Sequence, residues 1–224
     1  MPILRPLSLE ESIPRFDFHL HTHFTDGIPS IVEYVNKAKE LGITKIGFPE
    51  HCNQRSTWLK PFIDALNIAR GICDNKVEIM WGVEAKGINY EGELAAPDIY
   101  IEASEYVYGA FHSSLTSTKF PDLIEEEAIE MEYKVTLAMI KAKSCHAIAH
   151  PGALSDKYFS GFPNELFKDI AEAASQNDVA LEINPGYSNN IFKQLETCQR
   201  YDCGVVLGSN AHTIDELGLI LKVF

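Results

Sequence analysis

Apolar segments rich in β-branched and aromatic residues recur at fairly even intervals along the chain, and most gaps between them have helical periodicity. The first gap is typical, because its helical pattern runs from a capping residue, Ser30, with Glu33 three positions later, to a terminating glycine, Gly42. The apolar segments predict seven strands, at Phe16–Leu20, Lys45–Phe48, Val77–Val83, Tyr106–Phe111, Ala147–Ala149, Val179–Ile183 and Val205–Leu207. The periodic gaps predict further helices over 60–72, 122–143, 164–176, 189–202 and 213–221, with a short helix near 97–103.

This alternation of strands and helices predicts an α/β fold built from right-handed βαβ units around a parallel sheet. Seven strands suit either a closed barrel or a doubly wound sheet, and periodicity alone does not distinguish the two. No linker or change of composition divides the chain, so we expect a single domain over residues 1–224 with its core over about 16–221.

Six of the eight histidines lie at or just after the predicted carboxyl ends of strands, in segments such as FHLHTHFTDG, GFPEHC and LGSNAH. In parallel α/β architectures these strand ends meet at one face of the molecule, and chemistry is placed there. The sequence therefore predicts one convergent polar site. The polar residues at these strand ends and in the segments that follow them are His19, His21, His23, Asp26, Glu50, His51, Glu84, His112, His150, Glu182, Asn184, Asn210 and His212.

The residue types at this site are those of a metal centre. His19 and His21 flank Leu20, and alternate side chains of a strand point to the same face. Imidazole combined with carboxylate is the ligand set of zinc, manganese or iron. A single histidine at a strand end is usually a structural residue, whereas the whole set at matching ends predicts a cluster of divalent ions.

Other residues of the same types receive a structural interpretation. His146 precedes its strand and should face away from the site. His23 lies two residues beyond His21, where the HxH pair already supplies the ligands. Cys52 is interpreted as a small packed residue.

Composition narrows the function classes. Lysine and arginine total 19 against 32 aspartates and glutamates, a net charge of −13, and no basic run is present. This negative charge argues against a long nucleic-acid duplex as the substrate but is compatible with a short strand end.

Five cysteines without a CxxC pair predict a reducing, cytoplasmic compartment. No apolar run reaches the ~18 residues of a membrane span. The first sixteen residues lack the apolar core of a secretory signal.

The ordered motifs HLHTHFTDG, PEHC, GVEAKG, FHSS, AHPG, LEINPG and GSNAHTIDELG resemble the polymerase and histidinol phosphatase (PHP) superfamily. The resemblance extends from Phe18 to about Gly218. It implies a distorted, TIM-like (β/α)7 barrel with its metal site at the carboxyl ends of the strands. It also implies two or three divalent ions and the hydrolysis of phosphate esters.

By position, the resemblance implies three groups of metal ligands. The first is His19, His21 and Glu84 with Asn210; the second is Asp26, His51 and His212; the third is Glu84, His112 and His150. Glu84 would thus bridge two ions. Catalysis is expected to depend on Glu84, His212 and Asp26. Asp17, Glu50 and Glu182 are expected to orient the imidazoles.

One position departs from the family pattern. The last strand usually ends in SDAH, and here Ser209–His212 reads SNAH. A neutral amide oxygen can ligate a metal, but more weakly than a carboxylate, and it cannot act as a base.

We therefore expect an enzyme, a metal-dependent phosphoesterase acting on a small phosphorylated substrate. A nuclease that trims short single strands is an alternative, and so is a metal-binding module weakened at Asn210. Four basic residues near strand ends are candidates for contacting a phosphate, and spacing does not choose among Arg55, Lys60, Lys86 and Lys119. The oligomeric state stays open.

Overall fold

The structure is a computed structural model that describes residues 15–74, 76–188 and 190–223. Within these residues, seven parallel strands follow one another in chain order around a single sheet. They are β1 (Phe16–Asp17), β2 (Lys45–Cys52), β3 (Glu78–Lys86), β4 (Tyr106–Ala110), β5 (Ala147–Ile148), β6 (Ala180–Ile183) and β7 (Val205–Leu207). Sequential parallel order with a helical crossover after each strand is the topology of a (β/α) barrel.

The helices alternate with the strands as the periodicity predicts. They are α1 (Ile31–Leu41), α2 (Leu59–Ile72), α3 (Asp98–Ala103), α4 (Glu125–Lys141), α5 (Ala153–Tyr158), α6 (Asn164–Asn177) and α7 (Ile191–Arg200). The predicted capping box of α1 is confirmed: the Ser30 hydroxyl accepts from the Glu33 N–H, and Glu33 accepts from the Ser30 N–H. Gly42 ends the helix in the left-handed conformation.

The first and last strand segments meet, which resolves the choice between a barrel and an open sheet. Leu20 and Ala211 form an isolated parallel bridge beyond the ends of β1 and β7. The His21 N–H donates to the Ala211 carbonyl at 2.8 Å, and the Phe18 N–H donates to the Leu207 carbonyl at 2.9 Å. The sheet therefore curls into a nearly closed (β/α)7 barrel.

Three helical segments differ from the prediction. The helix predicted over 213–221 is two short 3₁₀ helices, Ile214–Glu216 and Leu219–Lys222, because Gly218 between them adopts a positive φ of 73°. The helix predicted over 122–143 begins later, at Glu125, after a separate 3₁₀ turn. Helix α5 was not predicted at all.

The barrel interior combines large side chains from β4 with small side chains from the neighbouring strands. Tyr106 and Tyr108 of β4 are fully buried there, packed with alanines of β5 and β6. A Cβ at Gly47 or Gly82 would lie within 3 Å of the Tyr106 side chain, so these glycines make room for its ring. The interior is thus a packed core whose open end carries the polar residues.

No helix among the described residues is long and apolar enough to cross a membrane. The segment on which the absence of a secretory signal was predicted lies mostly outside the described residues.

Candidate metal centre

Glu84 is at the centre of the site, and strand register places it there. Glu84 lies opposite His51 of β2 and opposite Tyr108 of β4 in the parallel ladders, so the three side chains are neighbours on one face. The Tyr108 ring belongs to the barrel interior, and Glu84 therefore points inward. Its carboxylate is fully buried, and its Oε2 atom makes no well-aligned hydrogen bond within the described part of the chain, although His51 Nδ1 lies 2.9 Å away.

The first predicted group of ligands converges on that Oε2 atom. The Nε2 atoms of His19 and His21 lie 3.1 Å from each other and 3.5 Å each from Glu84 Oε2. Asn210 completes the group, with its Oδ1 atom 2.9 Å from His21 Nε2. His19 and His21 thus face the same point, although β1 itself ends before them.

The second predicted group lies beside the first. Asp26 Oδ2 is 3.4 Å from His51 Nε2 and 3.4 Å from His212 Nε2. The ring of His21 packs between these histidines, with centroids 4.3 Å from His51 and 4.6 Å from His212. His51 also places its other nitrogen, Nδ1, 2.9 Å from Glu84 Oε2. Its imidazole therefore links the second group to the central carboxylate.

The third predicted group uses the other oxygen of Glu84. Both His112 Nε2 and His150 Nε2 lie 3.0 Å from Glu84 Oε1. The structure thus brings all nine predicted residues to one end of the barrel, and each group touches Glu84 or a residue beside it.

These distances fit divalent ions. Zinc–nitrogen and zinc–oxygen bonds of about 2.0–2.2 Å place neighbouring ligands of one ion about 3.0–3.5 Å apart. The separations of 2.9–3.5 Å around Glu84 have this size. A buried carboxylate is costly unless positive charge or hydrogen-bond donors face it. The ring of imidazole nitrogens around Glu84 is a donor set that suits metal ions.

The charges in the cluster depend on one another. Burial would raise the pKa of Glu84, but the adjacent imidazoles, His112 first among them, hold it well below its usual value. Burial lowers the pKa of His19, and Glu182 and Glu84 more than reverse this, raising it to about 10. Glu84 raises the pKa of His51 to about 10 in the same way against burial. Burial and the neighbouring His51 depress the pKa of His21.

Of the three carboxylates expected to orient imidazoles, one does so directly. Glu182 accepts from His19 Nδ1 at 2.9 Å, and its other oxygen accepts from the His150 N–H at 2.8 Å. Gly208 provides the space, because a Cβ there would lie 2.2 Å from Glu182 Oε1. Glu182 thereby fixes the tautomer of His19 so that Nε2 faces the cluster.

The other two carboxylates hold loops instead. Asp17 accepts from the backbone N–H groups of Ser209 and Gly218, both at 2.9 Å. Glu50 accepts from the hydroxyls of Thr22 and Thr25 in the loop that carries Asp26. The prediction that they orient imidazoles is therefore wrong in detail, because both carboxylates reach main chain and hydroxyls rather than rings.

Two candidate ligands have unusual backbone conformations. His150 has φ of 30° and Asn210 has φ of 50°. Positive φ is uncommon outside glycine, and such residues concentrate at functional sites. His150 lies two residues after the end of β5, and Asn210 lies three residues after the end of β7.

The structural interpretations of the remaining residues agree with the fold. His23 is exposed, with its ring against Phe24. His146 Nδ1 accepts from the Val107 N–H at the opposite end of β4. Cys52 is buried in the core.

A cavity of about 460 Å³ opens beside the centre, and sequence reasoning missed most of its lining. Asn210 and His212 line it, together with Tyr187 from the loop after β6 and Lys157 from α5, and no motif marks those last two residues. Of the basic residues considered from the sequence, Lys86 donates to Ser113, next to His112, whereas Lys60 pairs with Asp64 on the surface of α2.

The PHP domain family model matches residues 17–186, and the chain belongs to this family. "Probable phosphatase YcdX" of Escherichia coli O81 is 28% identical over 215 residues, which cover 90% of this chain and 80% of that protein. A protein named "Probable phosphatase" from Acetivibrio thermocellus is 28% identical over 155 residues. That match covers 66% of this chain and 58% of the relative, so the chain spans little more than half of its length.

A solved structure has the same fold. Histidinol phosphate phosphatase from Lactococcus lactis, determined with zinc, L-histidinol and phosphate, superposes with a TM-score of 0.76. It is 20% identical to this chain, and the match covers 95% of this chain and 94% of that one. The likeness agrees with the seven-stranded barrel described above.

Proposed function

We propose that the protein is a metal-dependent phosphatase that hydrolyses small phosphate monoesters, using two or three divalent ions such as zinc, manganese or iron. The observation that carries the proposal is the convergence of six imidazoles and two carboxylates, with Asn210, at the carboxyl end of the barrel. The names of the relatives support the same reaction class.

The proposed ligands are the three predicted groups, with Glu84 shared between them. His19, His21 and Asn210 would hold one ion, and Asp26, His51 and His212 would hold a second. His112 and His150, which lie against the other oxygen of Glu84, would hold a third. Divalent ions bound there would supply a water of lowered pKa as the nucleophile and neutralise charge on the phosphoryl group.

The chain's own residues supply orientation and access. Glu182 holds His19 in the tautomer that presents Nε2, and it also fixes the backbone of His150. The adjacent cavity of about 460 Å³ has the size of a small-molecule site, and Lys157 places a cation in its wall. The small cavity and the net negative charge of the protein together favour a small phosphomonoester over a polynucleotide as the substrate.

All five cysteines are buried and unpaired, which supports a reducing, cytoplasmic setting.

The test is turnover of an aryl phosphate by protein stripped with a chelator and then reloaded with zinc, manganese or iron. We expect activity only in reloaded protein, loss of at least about 100-fold in His51→Ala, and full activity in His23→Ala. His23 is the matched control, because it is an exposed histidine outside the cluster.

Two outcomes would overturn the proposal. Turnover that is unaffected by chelation, or equal in the two histidine variants, would remove the metal centre from the reaction. Release of nucleotides from a short single strand in preference to aryl phosphate turnover would assign the protein to the nuclease alternative.

A further inference from the structure

The side-chain amide of Asn210 is held at both ends. Its Oδ1 atom lies 2.9 Å from His21 Nε2, on the cluster side. Its Nδ2 group donates to the Tyr187 hydroxyl at 2.9 Å, on the cavity side. Asn210 is thus the only one of the nine candidate ligands, in the described structure, that contacts a tyrosine hydroxyl through its head group.

An amide at this position has a requirement that a carboxylate does not have. The two oxygens of a carboxylate are equivalent, so either orientation presents a ligand atom to a cation. An amide presents either an oxygen, which can ligate, or an NH₂ group, which only donates hydrogen bonds. An asparagine here therefore needs a partner that selects the orientation with the oxygen inward.

Tyr187 is placed to make that selection. Its backbone N–H donates to the Asn184 carbonyl at 3.3 Å, in a turn where the Asn184 side chain also accepts from the Gly186 N–H at 2.9 Å. The Tyr187 ring packs against His150, with centroids 4.7 Å apart. These contacts hold the hydroxyl oxygen where it accepts from Asn210 Nδ2.

We propose that Tyr187 is a positioning residue that holds the Asn210 amide with its oxygen toward the metal centre, so that metal binding at this position depends on the Tyr187 hydroxyl. The inference rests on the metal centre of the proposed function. It does not depend on which phosphate ester is the substrate.

The test is a double-mutant cycle read as metal affinity. Chelator-stripped wild type, Tyr187→Phe, Asn210→Asp and the double variant are titrated with zinc in competition with a chromophoric chelator, without substrate. Tyr187→Phe keeps the ring against His150 and removes only the hydroxyl. In the Asn210 background we expect it to weaken one binding step about 10-fold, at the lower end of effects for residues that orient ligands.

In the Asn210→Asp background the same substitution should change affinity by less than about twofold, because either carboxylate oxygen can face the ion. Asn210→Asp alone should bind that ion more tightly than wild type. Tyr133→Phe is the matched control, since it removes a tyrosine hydroxyl that contacts Asp169 outside the barrel, and it should leave affinity unchanged. Thermal unfolding of each metal-free variant checks that it is folded.

An equal loss in both backgrounds, or no loss in either, would overturn the positioning role. Wild-type protein that binds no zinc would overturn both this inference and the proposed function. Protein that binds zinc and follows the expected cycle, but hydrolyses no phosphate ester, would overturn the proposed function alone.

Discussion

Two buried glutamates of the same barrel, one on β3 and one on α4, differ in what surrounds them. Both carboxylate oxygens of Glu84 on β3 are faced by imidazole nitrogens, His51 Nδ1 at 2.9 Å from Oε2 and His112 Nε2 at 3.0 Å from Oε1. Glu132 of α4 accepts from the N–H groups of Leu154 and Ser155 at 3.1 and 2.9 Å, and from the Ser155 hydroxyl. It thereby caps the first turn of α5, whose N-cap residue, Gly152, has no side chain to do so.

The pKa shifts of the two carboxyls run in opposite directions. Burial raises the pKa of Glu132 to about 7, and its neutral hydrogen-bond donors offset only part of that rise. Burial acts on Glu84 as well, but the imidazoles around it reverse the effect and hold its pKa well below the usual value. A buried carboxylate satisfied by N–H groups is structural, whereas one faced by imidazoles is suited to cations. Each experiment below tests that distinction.

The largest expected difference comes from the same substitution at both positions. Glu84→Gln should abolish aryl phosphate hydrolysis and remove more than one ion per chain, because a shared carboxylate holds adjacent ions together against their repulsion. Glu132→Gln should keep its full metal content. Elemental analysis of the two purified variants, with turnover on the same samples, measures both. Equal metal content in the two proteins would show that Glu84 is not the shared ligand.

The second largest difference between the Glu84 cluster and Glu132 is expected in the pH dependence of metal affinity. Adjacent carboxylates raise the pKa values of His19 and His51 to about 10. Both rings are therefore cationic, with both nitrogens protonated, in the metal-free protein near neutrality. Metal must displace those protons, so affinity should fall by at least about tenfold for each unit that the pH drops from 9 to 6. Calorimetric titration in buffers of different ionisation enthalpy counts the released protons.

Glu132→Gln is the control for this titration, and its slope should equal that of wild type. Binding without proton release would mean that the cluster is already neutral before the ions arrive.

Removal of the structural carboxylate should cost stability rather than metal. Glu132→Ala leaves two buried N–H groups and a hydroxyl without their acceptor, which should lower the free energy of unfolding by about 3 kcal/mol. Urea unfolding of the metal-free protein measures the loss. A decrease below about 1 kcal/mol would indicate that α5 finds another cap.

The smallest effect concerns pH and stability. The pKa of Glu132 rises from 4.5 to about 7 on folding, so its stabilising contribution is complete below about pH 4.5 and is lost as pH rises toward 7. Between pH 5 and 7, wild type should lose about 2 kcal/mol more than Glu132→Gln, which carries no ionisable group there. Parallel urea titrations of the metal-free proteins give both slopes. Identical slopes would mean that Glu132 ionises normally.

The local sequence pattern was sufficient to predict much of the fold. The apolar segments predicted all seven strands, because a strand buried on both faces must be apolar along its length. The Ser30 and Glu33 capping box was also readable, since it depends only on residues three positions apart. Parallel topology predicted that the strand-end residues would meet at one face, and the resemblance to the PHP motifs selected the nine candidate ligands among them.

Contacts between residues that are far apart in the sequence could not be predicted from the local sequence pattern. Closure of the barrel depends on Leu20 meeting Ala211, a pairing that no local periodicity encodes. Glu132 falls within the helix predicted over 122–143 and belongs to no motif, and its role is visible only with the backbone of α5 beside it. Tyr187 gave no signal at all, because its hydroxyl matters only where the loop after β6 meets the Asn210 turn after β7. Spacing along the chain predicts which side chains share a face, whereas the distance and orientation between two loops depend on the packing of the whole barrel.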